Sequence, residues 1–116
     1  MPVTNALASL AVRDLALSRQ WYETILGPGS QPMTEVVEWQ LSRGGGLQIY
    51  AAPERAGSGS CTLIVSDIDE TARQLHDAGV VDTEPARNDR VDTIMIKDLD
   101  GNSIAFAAPK DEALVH

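Results

Sequence analysis

Cysteine is almost missing from this 116-residue chain: Cys61 stands alone, so no internal disulfide can form and packing must supply the stability. Histidine is nearly as scarce. Only His76 and His116 occur, too few for a transition-metal site built from several imidazoles. Positive charge is the third shortage, with 9 basic against 17 acidic residues, a formal charge of −8 and no Lys/Arg cluster. Such a field repels phosphate backbones and anionic lipid, which excludes nucleic acid as a partner class; solubility is the plain use of the acidity. Long apolar runs are missing too. None approaches the roughly 18–20 residues required to cross a bilayer, and the amino terminus shows no basic segment leading into an apolar one with a small-residue cleavage site. The expectation is a cytoplasmic protein that does not engage membranes.

What is present suits an ordinary soluble globule, with 43% apolar and 22% charged residues. A chain this long makes one domain and buries roughly 65% of its unfolded surface, enough for a core without disulfides. Ala6 to Val12 reads as a strand. Asp14 then heads a segment whose apolar residues Leu15, Leu17, Trp21, Tyr22, Ile25 and Leu26 recur at helical spacing. Asp14 caps that helix by accepting backbone N–H groups, and Gly27-Pro28 stops it. Gly29 to Pro32 reads as a loop, Met33 to Leu41 as strand material, and Ser42 to Gly46 as the hairpin connection into Leu47 to Ala51.

Pro53 to Gly59 is the most linker-like stretch, and after it the order begins again. Cys61 to Val65 is β-rich, Asp67 caps a second helix through Ile68, Thr71, Ala72 and Leu75 with Glu70 at capping-box spacing, and Gly79 ends it. A short strand near Val80 to Thr83, a loop around Pro85 and two firmer strands, Val91 to Lys97 and Ser103 to Ala108, complete the series. Asp100-Gly101-Asn102 joins the last two with tight-turn chemistry.

A shift of 53 positions places Val12 on Val65, Asp14 on Asp67, Leu15 on Ile68 and Ser18 on Thr71. Near the ends of the halves, Tyr50-Ala51-Ala52-Pro53 echoes Phe106-Ala107-Ala108-Pro109 at a shift of 56. A period this long, occurring twice, describes a duplicated module and not a solenoid. The expectation is an α+β fold of two tandem βαβββ modules, about 5–53 and 60–109, joined by a 54–59 linker and closing around a common small-molecule cleft.

Other chemistry is weak. Gly44 to Gly46 precede a strand and so cannot cradle a pyrophosphate at a helix start. Asp98, Asp100 and Asn102 alternate like a calcium loop, but Ser103 and Pro109 stand where Gly and Glu are required. No Gly-x-Ser-x-Gly elbow occurs, and Ser58, Ser60 and Cys61 have no assignable His and acid partners. Cys61 reads as a small core residue, and His76 as an amphipathic residue at a helix margin.

Two motifs carry a family resemblance that covers about Ala6 to Pro109. Val12-Arg13-Asp14-Leu15, Ser18, Trp21-Tyr22 and Leu26-Gly27 form the first, and Asp98-Leu99-Asp100-Gly101-Asn102 forms the second. In this order they resemble the vicinal oxygen chelate superfamily, which includes glyoxalase I, extradiol dioxygenases, fosfomycin resistance enzymes and bleomycin resistance proteins. Leu99 replaces the proline of that family's closing turn. The resemblance implies four metal-ligand positions, and here they fall on Leu7, Ser60, Gln48 and Ala105. Only Gln48 has a side-chain oxygen suited to coordination, and a lone neutral amide is a poor ligand, so no metal and no cofactor are expected.

Period-two alternation extends the cleft lining. With Gln48 facing inward, Tyr50 does too, and the same parity selects Leu7 and Ser9, Ser60 and Thr62, and Ala105. Trp39 is a further candidate, as an aromatic wall or as core. The lining is small and neutral, with no acidic group for a cationic drug and no good general acid or base; catalytic residues are unassigned. The leading reading is a metal-independent small-molecule-binding protein that sequesters an organic ligand. A lyase, isomerase or dioxygenase of the same superfamily, and a non-catalytic dimerisation module, are the alternatives. Superfamily resemblance also implies a homodimer.

Overall fold

Each half of the sequence opens with a short apolar strand that runs into an aspartate, and at that aspartate the chain turns from sheet to helix. A computed structural model describes residues 1–80 and 83–110 and divides into two compact units. Met1–Gly59 with Asp98–Asn102 make the first, and Ser60–Lys97 with Ser103–His116 the second.

The first unit contains β1 (Leu7–Val12), α1 (Leu15–Leu26), β2 (Ser30–Met33), β3 (Val36–Gln40) and β4 (Gly46–Ala51). Asp14 is the N-cap of α1, its carboxylate accepting the Leu17 N–H at 3.1 Å, and Gly27 ends the helix at φ 80°. The strands lie in the order β1-β4-β3-β2, with β1 parallel to β4 and the other neighbours antiparallel. Helix α1 covers one face. Leu10, Val12, Val37, Trp39, Leu47 and Ile49 point to that face and are buried with Tyr22; each large aliphatic side chain so enclosed contributes about 1.5–3 kcal/mol.

Strand β2 corrects the expectation of a loop over Gly29 to Pro32, and the strand material of Met33 to Leu41 is divided between the end of β2 and β3. The chain turns at Thr34-Glu35, and its four β2 residues are all exposed. Sequence alternation cannot mark such a strand, and Pro32 is tolerated because β2 is the sheet edge. Glu23 secures its approach: it accepts the Gly29 N–H at 2.9 Å and pairs with Arg19. The Gly29 hydrogen bond, with Arg19 in support, outweighs partial burial and holds the Glu23 carboxyl below the ordinary range. Pro53–Arg55, within the linker-like stretch, forms a single 3-10 turn.

The second unit contains β5 (Ser60–Ile64), α2 (Ile68–Asp77), β6 (Ala86–Arg87), β7 (Val91–Lys97) and β8 (Ser103–Pro109), in the order β5-β8-β7-β6. Here too the first strand runs parallel to the last. Asp67 caps α2 by accepting from Asp69 and Glu70 N–H groups at 3.0 and 3.1 Å, while the Glu70 carboxylate turns to Arg73 and Gln74. Leu63, Ile68, Leu75, Ile94, Ile96, Ile104 and Phe106 are buried. Of the strand expected near Val80 to Thr83, Val81 and Asp82 lie outside the described residues, as does His116. These are two βαβββ modules of an α+β fold.

Strand pairing also corrects the sequence echo near the ends of the modules. Ser9 pairs with Gln48, and its repeat partner Thr62 pairs with Ala105. Gln48 therefore corresponds to Ala105, and Ile49, not Tyr50, corresponds to Phe106. The echo is one residue out of step, and in a strand one residue is the difference between faces.

Asp98–Asn102 follows β7 in the chain but belongs to the first unit. Asn102, fully buried, donates to Ala11 O at 2.8 Å and to Asp98 Oδ2 at 2.9 Å, and its Oδ1 accepts Gly57 and Gly59 N–H groups at 3.2 and 2.9 Å. Asp98 also accepts the Tyr22 hydroxyl at 2.7 Å and the Asp100 and Asn102 N–H groups at 2.9 Å. Every polar atom of the Asn102 side chain is thus satisfied. Gly57, at φ 98°, is required on two counts, since a Cβ there would also lie 2.5 Å from the Asp100 carbonyl oxygen. The motif that resembled a calcium loop is a structural clasp.

Candidate functional site

The face of the first sheet turned away from α1 is where its polar chemistry gathers. Strand pairing sets three rows across it: Ala11, Tyr50 and Val36; then Ser9, Gln48 and Glu38; then Leu7, Gly46 and Gln40. The middle row is a hydroxyl, an amide and a carboxylate side by side. Gln48 Nε2 donates to Ser9 Oγ at 2.7 Å, which holds the amide upright and leaves the serine hydroxyl its own proton to donate. Above these rows lies a recess of about 580 Å³ lined by Ser9, Met33, Thr34, Glu35, Val36, Gln48, Tyr50 and Ala51, within the range that takes a small organic ligand. A second recess, of about 350 Å³, adjoins it over Leu7, Glu38 and Gln40.

The structure thus brings Ser9, Gln48 and Tyr50 to one recess, with Leu7 beside the next. Ser60, Thr62 and Ala105 share the face of the second sheet turned away from α2, where Ser60 pairs with Ser103 and Thr62 with Ala105. Trp39 departs from the cleft-wall expectation. It is 4% exposed beneath α1, its ring 5.7 Å from that of Tyr22, and its Nε1 donates to Gly27 O at 2.9 Å. The reason is parity: Trp39 pairs with Leu47 and Val37 with Ile49, both core residues.

Placing Trp39 in the core turns Val36, Glu38 and Gln40 outward, and this corrects the expectation of a lining without acidic groups. Glu38 stands directly opposite Gln48, and Glu35 lines the larger recess. Met33, Thr34, Glu35, Val36 and Glu38 are absent from the sequence expectation because it leaves the inward face of β3 open and does not mark the turn at Thr34-Glu35. On the second sheet Thr93, Met95 and Lys97 were likewise missed, although they pair with Ala107, Ala105 and Ser103. Assigning Trp39 to the core at the outset would have found Glu38 from sequence alone.

Metal chemistry is tested by the donors. In the first unit the two implied ligand positions hold Leu7, which has none, and Gln48, a lone neutral amide whose Nε2 donates to Ser9. In the second they hold Ser60 and Ala105. This set does not fit a divalent ion. Among the described residues no group of three or more His, Cys, Asp or Glu stands together as a metal cage.

The same fold occurs in solved structures. A glyoxalase/bleomycin resistance protein from Catenulispora acidiphila is 33% identical, with 91% of this chain and 98% of that one covered and a TM-score of 0.81. This chain belongs to the glyoxalase/bleomycin resistance protein family. The family is the one that the vicinal oxygen chelate motifs resemble. More distant structures share the fold: TnmS3, an antibiotic-binding protein from a Streptomyces species, is 22% identical over 95% of this chain and 99% of that one, with a TM-score of 0.80. A bleomycin-binding protein complexed with bleomycin is 19% identical over 93% and 98%, with a TM-score of 0.74. No family model and no curated protein matches the chain. Among the described residues no helix is long and apolar enough to cross a membrane.

Proposed function

We propose that this member of the glyoxalase/bleomycin resistance family binds a small organic molecule without a metal ion and acts by sequestering it. The observation that carries the reading is the Gln48–Ser9 hydrogen bond at the floor of the larger recess: the amide occupies a position where metal-using members place a ligand, and its contact fixes it for recognition. Tyr50 supplies an aromatic edge with a hydroxyl, and Leu7 an apolar neighbour. Ser60, Thr62 and Ala105 are proposed as further ligand contacts. Proteins of the same fold that bind an antibiotic or bleomycin support ligand capture as the type of function.

A thermal-shift and calorimetric screen of antibiotics and metabolites, bleomycin among them, run with and without chelator, tests this. Ligand binding that survives chelation and is lost in Gln48→Ala and Tyr50→Ala is the expected result. Stoichiometric nickel, zinc, iron or manganese in the purified protein would defeat metal independence; unchanged affinity in both variants would place the pocket elsewhere.

Glu38 favours a second reading, a lyase or isomerase of the same superfamily, because a carboxylate beside a bound molecule is a candidate base. Turnover abolished in Glu38→Gln would establish it. The chain is further proposed to be a cytoplasmic homodimer. On the second sheet Ile64 and Met95 are 56% and 61% exposed, apolar area on the face turned away from α2 that a second copy would cover. Light scattering at a monomer mass across micromolar concentrations would refute the dimer.

A further inference from the structure

We propose that Gln31 is a positioning residue for the larger recess: its side-chain amide, seated on Arg19, fixes the wall formed by Met33, Thr34 and Glu35 from the α1 side of the sheet. This rests on reading the recess as the binding site and adds what sets its width. The wall needs such a fastening because β2 holds β3 loosely. Their register slips by one residue between the Ser30–Glu38 and Met33–Val36 pairs, and Pro32, inside the slip, has no N–H to give. All four β2 residues are exposed, so no buried side chain anchors the strand. The slip puts one extra residue into β2, so that Met33 reaches the recess while Gln31 reaches α1.

Arg19 donates in three directions: Nε to Glu23 at 3.3 Å, Nη2 to Gly29 O at 3.0 Å and Nη1 to Gln31 Oε1 at 3.0 Å. A guanidinium only donates, so it sets which end of the Gln31 amide faces it and leaves Nε2 free to turn elsewhere. That Nε2 donates to the Thr34 carbonyl at 2.8 Å. At the next residue the Glu35 carbonyl accepts the Ala51 N–H at 3.1 Å, which ties the turn to β4. Thr34, Glu35 and Ala51 all line the recess. The relay from helix to wall is thus Arg19, Gln31 and Thr34, and the Ala51 N–H is where its slackening can be read.

Hydrogen exchange of the ligand-free full chain, followed by NMR and referred to intrinsic rates, tests this. Gln31→Glu keeps an acceptor for Arg19 but, while ionised, has no donor for Thr34. At neutral pH Ala51 is expected to exchange about ten-fold faster than in the parent protein, with Leu10 and Leu47 unchanged. Below about pH 4 the introduced carboxyl regains a proton, and with it a donor, so the gap should close. The titratable neighbours of the relay, Glu23 and Glu35, are common to both proteins, so their own protonation cancels in the comparison. An unchanged Ala51 rate at neutral pH, a gap that persists in acid, or equal acceleration at Leu10 and Leu47 overturns the positioning role. A recess that takes no compound in the screen above defeats the binding reading alone, because the Ala51 rates are read without one.

Discussion

The two units share a strand order and a helix, yet they are held together by different means. In the first, a buried polar clasp of Tyr22, Asp98 and Asn102 closes one end, and Tyr22 and Trp39 enlarge the core. In the second, the buried residues are chiefly aliphatic and the strongest polar links are ionic and partly exposed. Arg87 bonds Asp69 at 2.5 Å and Asp92 at 3.3 Å, and Lys110 Nζ lies 3.2 Å from Asp92 Oδ1. Asp69, then Asp92, raises the Arg87 guanidinium further above its ordinary value. Duplication has preserved what builds a βαβββ module, the caps and the helix-facing stripe. The outward faces have diverged freely, because nothing in the module's own packing constrains them.

This comparison breaks most readily at Asn102. Asn102→Ala leaves Ala11 O and the Gly57 and Gly59 N–H groups without partners inside the unit, and should cost about 3–5 kcal/mol. Urea unfolding measures the loss, and hydrogen exchange should show first-unit amides losing protection before those of α2 and β7. Tyr22→Phe removes one donor from Asp98 and leaves three, so about 1–2 kcal/mol is expected in the same assay.

The ionic side of the comparison predicts a smaller effect. Arg87→Ala should cost clearly less than Asn102→Ala, as expected for an exposed guanidinium, since Asp92, 13% exposed, keeps Lys110 as a partner. A loss as large as that of Asn102→Ala would show that the two units are secured alike. Smallest is the effect of Glu23. Its folded-state carboxyl is lowered, so its contribution is present above the unfolded value and fades as pH falls through the folded one. Glu23→Gln should therefore lower thermal stability slightly at neutral pH, where the contribution is fully present, and converge with the parent protein as pH falls below the ordinary carboxylate range, which flattens the acid limb; an unaltered acid limb would contradict this.

Local signals were legible because they depend on adjacent residues. Asp14 and Asp67 announced their helices, Gly27 and Gly79 their ends, and the paired modules followed from repetition of that order. Ser9, Gln48 and Tyr50 were reachable because two core residues, Leu47 and Ile49, fix the parity of β4. Strand β3 offers Val36 and Val37 together, so its parity is open in the sequence, and neither Trp39 nor Glu38 can be given a face from it. Strand β2 had no alternation to read.

By itself the sequence determined the module, its duplication and the poverty of metal donors, since each follows from residue type and spacing along the chain. Only the tertiary structure decided that Asp98–Asn102 clasps the first unit, that Trp39 is core and that Glu38 shares a row with Gln48. Those outcomes depend on which backbone lies alongside which, and strand register is fixed by partners distant in sequence.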